Sequence, residues 1–248
     1  MGTKEFIKST ALQLGAMIYN DNSSKVIYYH DVHKQKRHTP MSTRLDLFKE
    51  HIDIVKRCGY TFVSEISKKE NEIEITFDDG FRGLYENFGF FVENSIAVHL
   101  FVVSDFIGKK EYLSEKEIAE LIDTGFLKVG SHTKTHRNLD TLNQKEVAKE
   151  LEESKKRLED IAGMYVDSFC FPRGRFSDAA LEEAKKAGYK KLYSCLPGPY
   201  FQEFKPTLLN RSLVQHASAN EFRAILRGGD RLFFNRFKKM HYHPGDGS

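Results

Sequence analysis

Tryptophan is absent from the 248 residues and cysteine is scarce: Cys58, Cys170 and Cys195 are odd in number, far apart and in no CxxC pair. Neither a disulfide framework nor a zinc ribbon can be built from them, and a reducing compartment is the expected setting. Long hydrophobic runs are missing too. The longest early apolar stretch, residues 11–19, contains Gln13 and Gly15 and is about half the length of a membrane span. It lacks the basic start and cleavage pattern of a signal peptide, so a cytoplasmic location is expected. Charge of one sign is also lacking. The 38 Lys and Arg against 35 Asp and Glu leave +3, too mild a surplus to point to nucleic acid as a partner. No linker, low-complexity tract or repeat divides the chain. One domain is therefore expected over 1–248, with 1–24 a helical extension and 228–248 a basic, aromatic tail.

What is present is an alternation. Short β-branched and aromatic runs recur at residues 26–29, 60–63, 73–77, 97–103, 126–129, 168–171, 191–194 and 208–214, each of a length suited to a buried strand. Helical spacing fills most of the gaps. Ser114 with Glu117, Asn143 with Glu146 and Ser218 with Glu221 have the capping-box separation, and Ser177 is placed to cap a helix from Asp178. Gly59, Gly125, Gly163 and Gly188 stand where left-handed terminators are wanted. About eight strands alternating with six or seven helices imply an α/β fold with a mostly parallel sheet, open or closed into a barrel. In either form the reactive residues belong just after strands.

Two strand ends carry chemistry. Residues 73–77 run into Asp78-Asp79-Gly80. Adjacent carboxylates repel unless a cation or a shared proton compensates, although an ordinary Asp-Gly turn would look the same. Residues 127–129 open into Gly130-Ser131-His132-Thr133-Lys134-Thr135-His136. Imidazoles four apart can reach a single ion. One carboxylate and two histidines, all from strand-end loops, make a three-donor set with positions left open, the arrangement of a catalytic metal.

The string Thr76-Phe77-Asp78-Asp79-Gly80, followed by Ser131-His132-Thr133-Lys134-Thr135-His136, resembles the first two motifs of the polysaccharide deacetylases, the NodB-like carbohydrate esterases. The resemblance runs from about Val26 to Leu226. It implies a distorted (β/α) barrel of seven or eight strands and a divalent metal, usually Zn2+ with Ni2+, Co2+ or Mn2+ as alternatives. By position it makes Asp79, His132 and His136 the metal ligands and Asp78 the general base. The family's third motif, Arg-x-Pro-x-Gly in one version, corresponds to Phe169-Cys170-Phe171-Pro172-Arg173-Gly174. Pro172 and Gly174 are kept as substrate-loop residues, but Cys170 stands in the arginine's place. Arg173 or Arg175 is the candidate replacement beside Asp78, with a loop arginine facing solvent as the alternative.

The family's C-terminal Leu-x-His acid is not recognisable. His30, after the strand ending at Tyr29, resembles the Tyr-His element of biofilm-polysaccharide deacetylases and is the expected acid; His243 is the alternative. The implied reaction is hydrolysis of an N-acetyl group on an amino sugar of a cell-surface polysaccharide or its precursor. The alternatives are a silent barrel that binds carbohydrate or protein, and a deacetylase of some other acetamide. Without tryptophan, a sugar ring must stack on Tyr or Phe, with Tyr28, Tyr29, Phe81, Phe176 and Tyr200 as candidates. Residues 227–240 mix basic and apolar side chains; Leu232 to Phe234 packed under the barrel with the charges solvated is the first reading, and peripheral contact with the membrane, for which interfacial segments have this composition, is the alternative.

Overall fold

The computed structural model describes residues 3–201, 204–205 and 207–244; the ends of the expected extension and tail, 1–2 and 245–248, lie outside the described residues. Eleven strands occur among them: β1 (Lys25–Tyr29), β2 (Asp31–His33), β3 (Ser42–Arg44), β4 (Thr61–Phe62), β5 (Glu72–Asp79), β6 (Val98–Val102), β7 (Leu127–Ser131), β8 (Ser168–Cys170), β9 (Lys191–Tyr193), β10 (Leu208–Leu209) and β11 (Ser212–Leu213). The helices are α1 (Thr3–Tyr19), α2 (Leu45–Arg57), α3 (Gly83–Glu86), α4 (Gly89–Glu93), α5 (Glu115–Asp123), α6 (Gln144–Ala162), α7 (Asp178–Lys186), α8 (Ala219–Leu226) and α9 (Phe234–His241).

Local chemistry explains most boundaries. The three capping boxes form as their spacing requires, Ser177 accepts from the Ala180 amide, and Gly163 ends α6 in the left-handed region. The main sheet runs β10-β9-β8-β7-β6-β5-β1-β11, with β4 on β5, and every pairing is parallel. It curls into a half-barrel surrounded by helices, the distorted α/β barrel that the alternation and the resemblance imply. β5 and β6 are buried along their whole length, as a parallel sheet covered on both faces demands.

One expected strand, 208–214, is divided. Leu208 and Leu209 pair with β9 at one edge of the sheet, while Ser212 and Leu213 pair with β1 at the other. Asn210 and Arg211 therefore bridge the barrel's two edges, and both are buried. The extra pair β2 and β3 follows β1 directly. α1 crosses residues 229–233 so closely that a Cβ on Gly15 would meet the Gly229 carbonyl oxygen at 2.4 Å. Only glycine fits that crossing.

Candidate active site

Because all sheet strands point the same way, their C-terminal ends share one rim. Asp78 lies opposite Phe101 and Asp79 opposite Val102, Val102 opposite Ser131, and Ser131 opposite Phe169. Asp79 turns the chain off β5 with φ +73°, Gly80 follows at +89°, and the Gly80 amide donates back to the Asp78 carbonyl at 3.0 Å. Thr133 and His136 also hold positive φ, at +68° and +64°. Such conformations cost energy for residues with a Cβ, and here they bend two loops towards one point.

At that point Asp79 Oδ1 lies 3.6 Å from His132 Nε2 and 3.4 Å from His136 Nε2. Asp79 Oδ1 is buried with no hydrogen-bond partner among the described residues. Donors about 2.0–2.1 Å from a tetrahedral ion stand about 3.4 Å from one another, so these three atoms fit such an ion. His132 Nδ1 is 2.8 Å from the Cys170 carbonyl oxygen, which accepts the hydrogen bond from Nδ1–H and leaves the Nε2 lone pair towards Asp79. Burial pushes His132 down to about 3 and, with Arg173 nearby, His136 down to about 4, so both rings are neutral and able to ligate. Burial, aided by Asp78, raises Asp79 to about 6, the cost of a buried carboxylate without a cation.

A second trio, Asp78, His132 and Cys170, also brings donor atoms together. It is the poorer cation site. Arg211 Nη1 is 2.7 Å from Asp78 Oδ1, and its Nη2 is 2.8 Å from both Asp78 Oδ2 and Cys170 Sγ. A guanidinium already fills that space.

Arg211 also corrects the reading of the third motif. Arg175 pairs with Asp140 at 2.7 Å, and Arg173 donates to Asn138 at 2.9 Å. Neither meets Asp78. Arg211, missed in the sequence, is fully buried and grips Asp78 with both nitrogens. Burial alone would raise Asp78, but Arg211 outweighs it and holds the carboxylate down to about 2. The sequence holds only a partial signal, an arginine within the expected strand 208–214, where burial would demand an anion; nothing local names Asp78 as that anion.

His30 follows β1, is half-buried, and sets Nδ1 2.6 Å from Gln215 Oε1. Its field reaches Asp78, Asp79 and His136. His243 sits 3.7 Å from Asp140 and 3.3 Å from the Met240 carbonyl, among groups that do not touch the carboxylate pair. Pro172 and Gly174 are buried in the loop after β8. Tyr28 is no open platform: it is buried, with the Arg211 guanidinium 4.4 Å above its ring. Tyr29, Phe81, Phe176 and Tyr200 are buried as well. The half-exposed rings beside the site are Tyr112, stacked on Phe81 at 4.6 Å, and Phe106, 6.2 Å from His136.

Several known proteins are similar to this chain. YxkH of Bacillus subtilis strain 168 is 28% identical over 144 residues, 58% of this chain and 51% of that protein. The poly-beta-1,6-N-acetyl-D-glucosamine N-deacetylase of Staphylococcus aureus is 26% identical over 139 residues, 50% of this chain and 48% of that one. The chain thus spans about half the length of these curated relatives. The structure of IcaB from Ammonifex degensii shares the fold, with a TM-score of 0.71 at 19% identity over 83% of this chain and 97% of that one. The sequence profile described as polysaccharide deacetylase matches residues 65–192, which include Asp78, Asp79, His132, His136 and the loop after β8. The chain belongs to the polysaccharide deacetylase family.

Proposed function

We propose that the chain removes N-acetyl groups from an amino sugar of a polysaccharide or its precursor, using a divalent metal held by Asp79, His132 and His136. The observation that carries this reading is the pairing of an orphaned Asp79 oxygen, at tetrahedral spacing from two neutral imidazoles, with an ionised Asp78 beside it. A binding barrel has no use for that set. The nitrogen, nitrogen and oxygen donors suit Zn2+. When bound, such an ion lowers the pKa of water and polarises a carbonyl.

The chain's own groups supply the rest. Asp78, kept ionised and oriented by Arg211, accepts the proton of the attacking water. In the loop after β8, the Phe171 and Gly174 amides are already bonded and Pro172 has none; the Arg173 N–H is the remaining donor for the tetrahedral oxyanion. His30 gives a proton from Nε2 to the leaving amine while Gln215 fixes its other nitrogen. Tyr112, half-exposed and within the field of Asp79, offers the sugar ring a face.

The relative that acts on poly-beta-1,6-N-acetyl-D-glucosamine supports a glycan over another acetamide. Acetate release from a panel of N-acetylated sugars, free, polymeric, nucleotide-linked and lipid-linked, tests the proposal. Turnover of at least one is expected. Release from none by metal-loaded protein would refute it.

A further inference from the structure

α1 is apolar on two sides. At about 100° per residue, Leu12, Gly15 and Ala16 share the side that packs against α8 and residues 229–233. Phe6, Ile7, Leu14, Met17 and Ile18 fall on the opposite side and are 61, 61, 54, 79 and 61% exposed. The only carboxylate of α1, Glu5, lies off that outward side by the same spacing. Five adjacent large apolar side chains in water mark a face that something covers.

α8 and residues 229–233, which pack on the inner side of α1, and α9, which packs on 229–233, say what. Residues 219–243 carry six Lys and Arg but two Asp and Glu, a surplus of four where the whole chain has three. Of the two carboxylates, Asp230 is buried and Glu221 pairs with Lys8. Arg227, Arg236 and Lys239 are exposed and form no ion pair among the described residues. Arg236 and Lys8 line the same cleft between α1 and α9. Within 227–240 the aromatic residues are not the greasy surface: Phe233 and Phe234 pack on the core, as the first reading of that segment has it, and so does Phe237.

We infer that the outward face of α1 docks on an anionic lipid bilayer, with α1 supplying the apolar contact and residues 227–239 the positive charge. An exposed apolar helix face on a molecule whose neighbouring segment carries a cationic surplus has the composition of an interfacial element. A second copy of the chain is the poorer occupant, because a two-fold contact through α1 would bring two cationic surpluses together.

Flotation with vesicles of phosphatidylcholine, and of phosphatidylcholine with about one-third phosphatidylglycerol, tests the inference. The chain floats with the anionic vesicles, less at high salt, and not with the neutral ones. Met17→Glu with Ile18→Glu, and separately Arg236→Glu with Lys239→Glu, each lower the bound fraction about tenfold. Both variants keep the wild-type thermal midpoint, since the altered side chains are exposed. The inference is overturned by no flotation at low salt, by flotation that Met17→Glu with Ile18→Glu leaves intact, or by a dimer in solution that this variant dissociates. Acetate release plays no part in this readout, so the catalytic proposal and this one fail separately.

Discussion

Arg211 closes its guanidinium on both oxygens of Asp78, at 2.7 and 2.8 Å, from the segment that bridges the two edges of the barrel. The pair is fully buried. Removing one member leaves the other charge uncompensated, so Arg211→Ala costs about 3–5 kcal/mol in urea unfolding. Arg211→Lys keeps the charge but loses the fork. It should fold, bind metal and lose about a hundredfold in kcat with little change in KM. Wild-type turnover by Arg211→Lys would remove the orienting role from Arg211.

Cys170 Sγ touches the same guanidinium. An arginine placed at 170 would reach the carboxylate from the neighbouring side of the barrel. In Arg211→Ser, adding Cys170→Arg should recover about tenfold of the lost acetate release, a coupling that two independent positions would not show. A double variant no better than Arg211→Ser contradicts this geometry.

His30 and His243 separate cleanly. His30→Asn should retain metal and lose about a hundredfold or more in kcat, the usual weight of a general acid. His243→Ala should stay near wild type, because its contacts are with Asp140 and Met240. Gln215→Leu should lower activity less than His30→Asn, by loosening the ring. Reversed results for His30 and His243 would transfer the acid to the C-terminal segment.

Stability should fall with acid through a histidine outside the site. His51 is buried between Tyr29 and the Ala217 carbonyl and stacks on Phe222 at 4.1 Å. Burial lowers it from 6.5 to about 4. The unfolded chain takes up this proton first. Stability is therefore full above pH 6.5 and falls as the pH drops towards 4, by about 3 kcal/mol for this group. Burial depresses His132 and His136 in the same direction, so the test is the difference from His51→Gln. That variant should show a shallower loss of stability between pH 6.5 and 4 in urea titrations. An unchanged slope would refute the assignment.

Much of this was legible in the chain because it is local. Capping boxes need three residues, and a parallel strand shows itself as an apolar run. The juxtaposition of Asp79, His132 and His136 was also legible, since strand ends of a parallel sheet share a rim. Arg211 was not. Its partner lies 133 residues away, and the contact exists only because one expected strand divides to bridge both sheet edges. Tyr28 misled for a related reason: an aromatic on a strand facing the barrel can look like a sugar platform until a buried arginine is found over its ring. The second apolar side of α1 carries no local mark that distinguishes it from core.

The dependence of deacetylation on a divalent metal held by Asp79, His132 and His136 follows from the proposed function. It is tested most directly by measuring bound metal and acetate release together, in the purified chain, after chelation, after Zn2+ is restored, and in His132→Ala and Asp78→Asn. One equivalent of metal, activity lost on chelation and regained with Zn2+, no metal in His132→Ala, and metal without turnover in Asp78→Asn are the results expected. Full acetate release by the chelated chain or by His132→Ala would contradict the account.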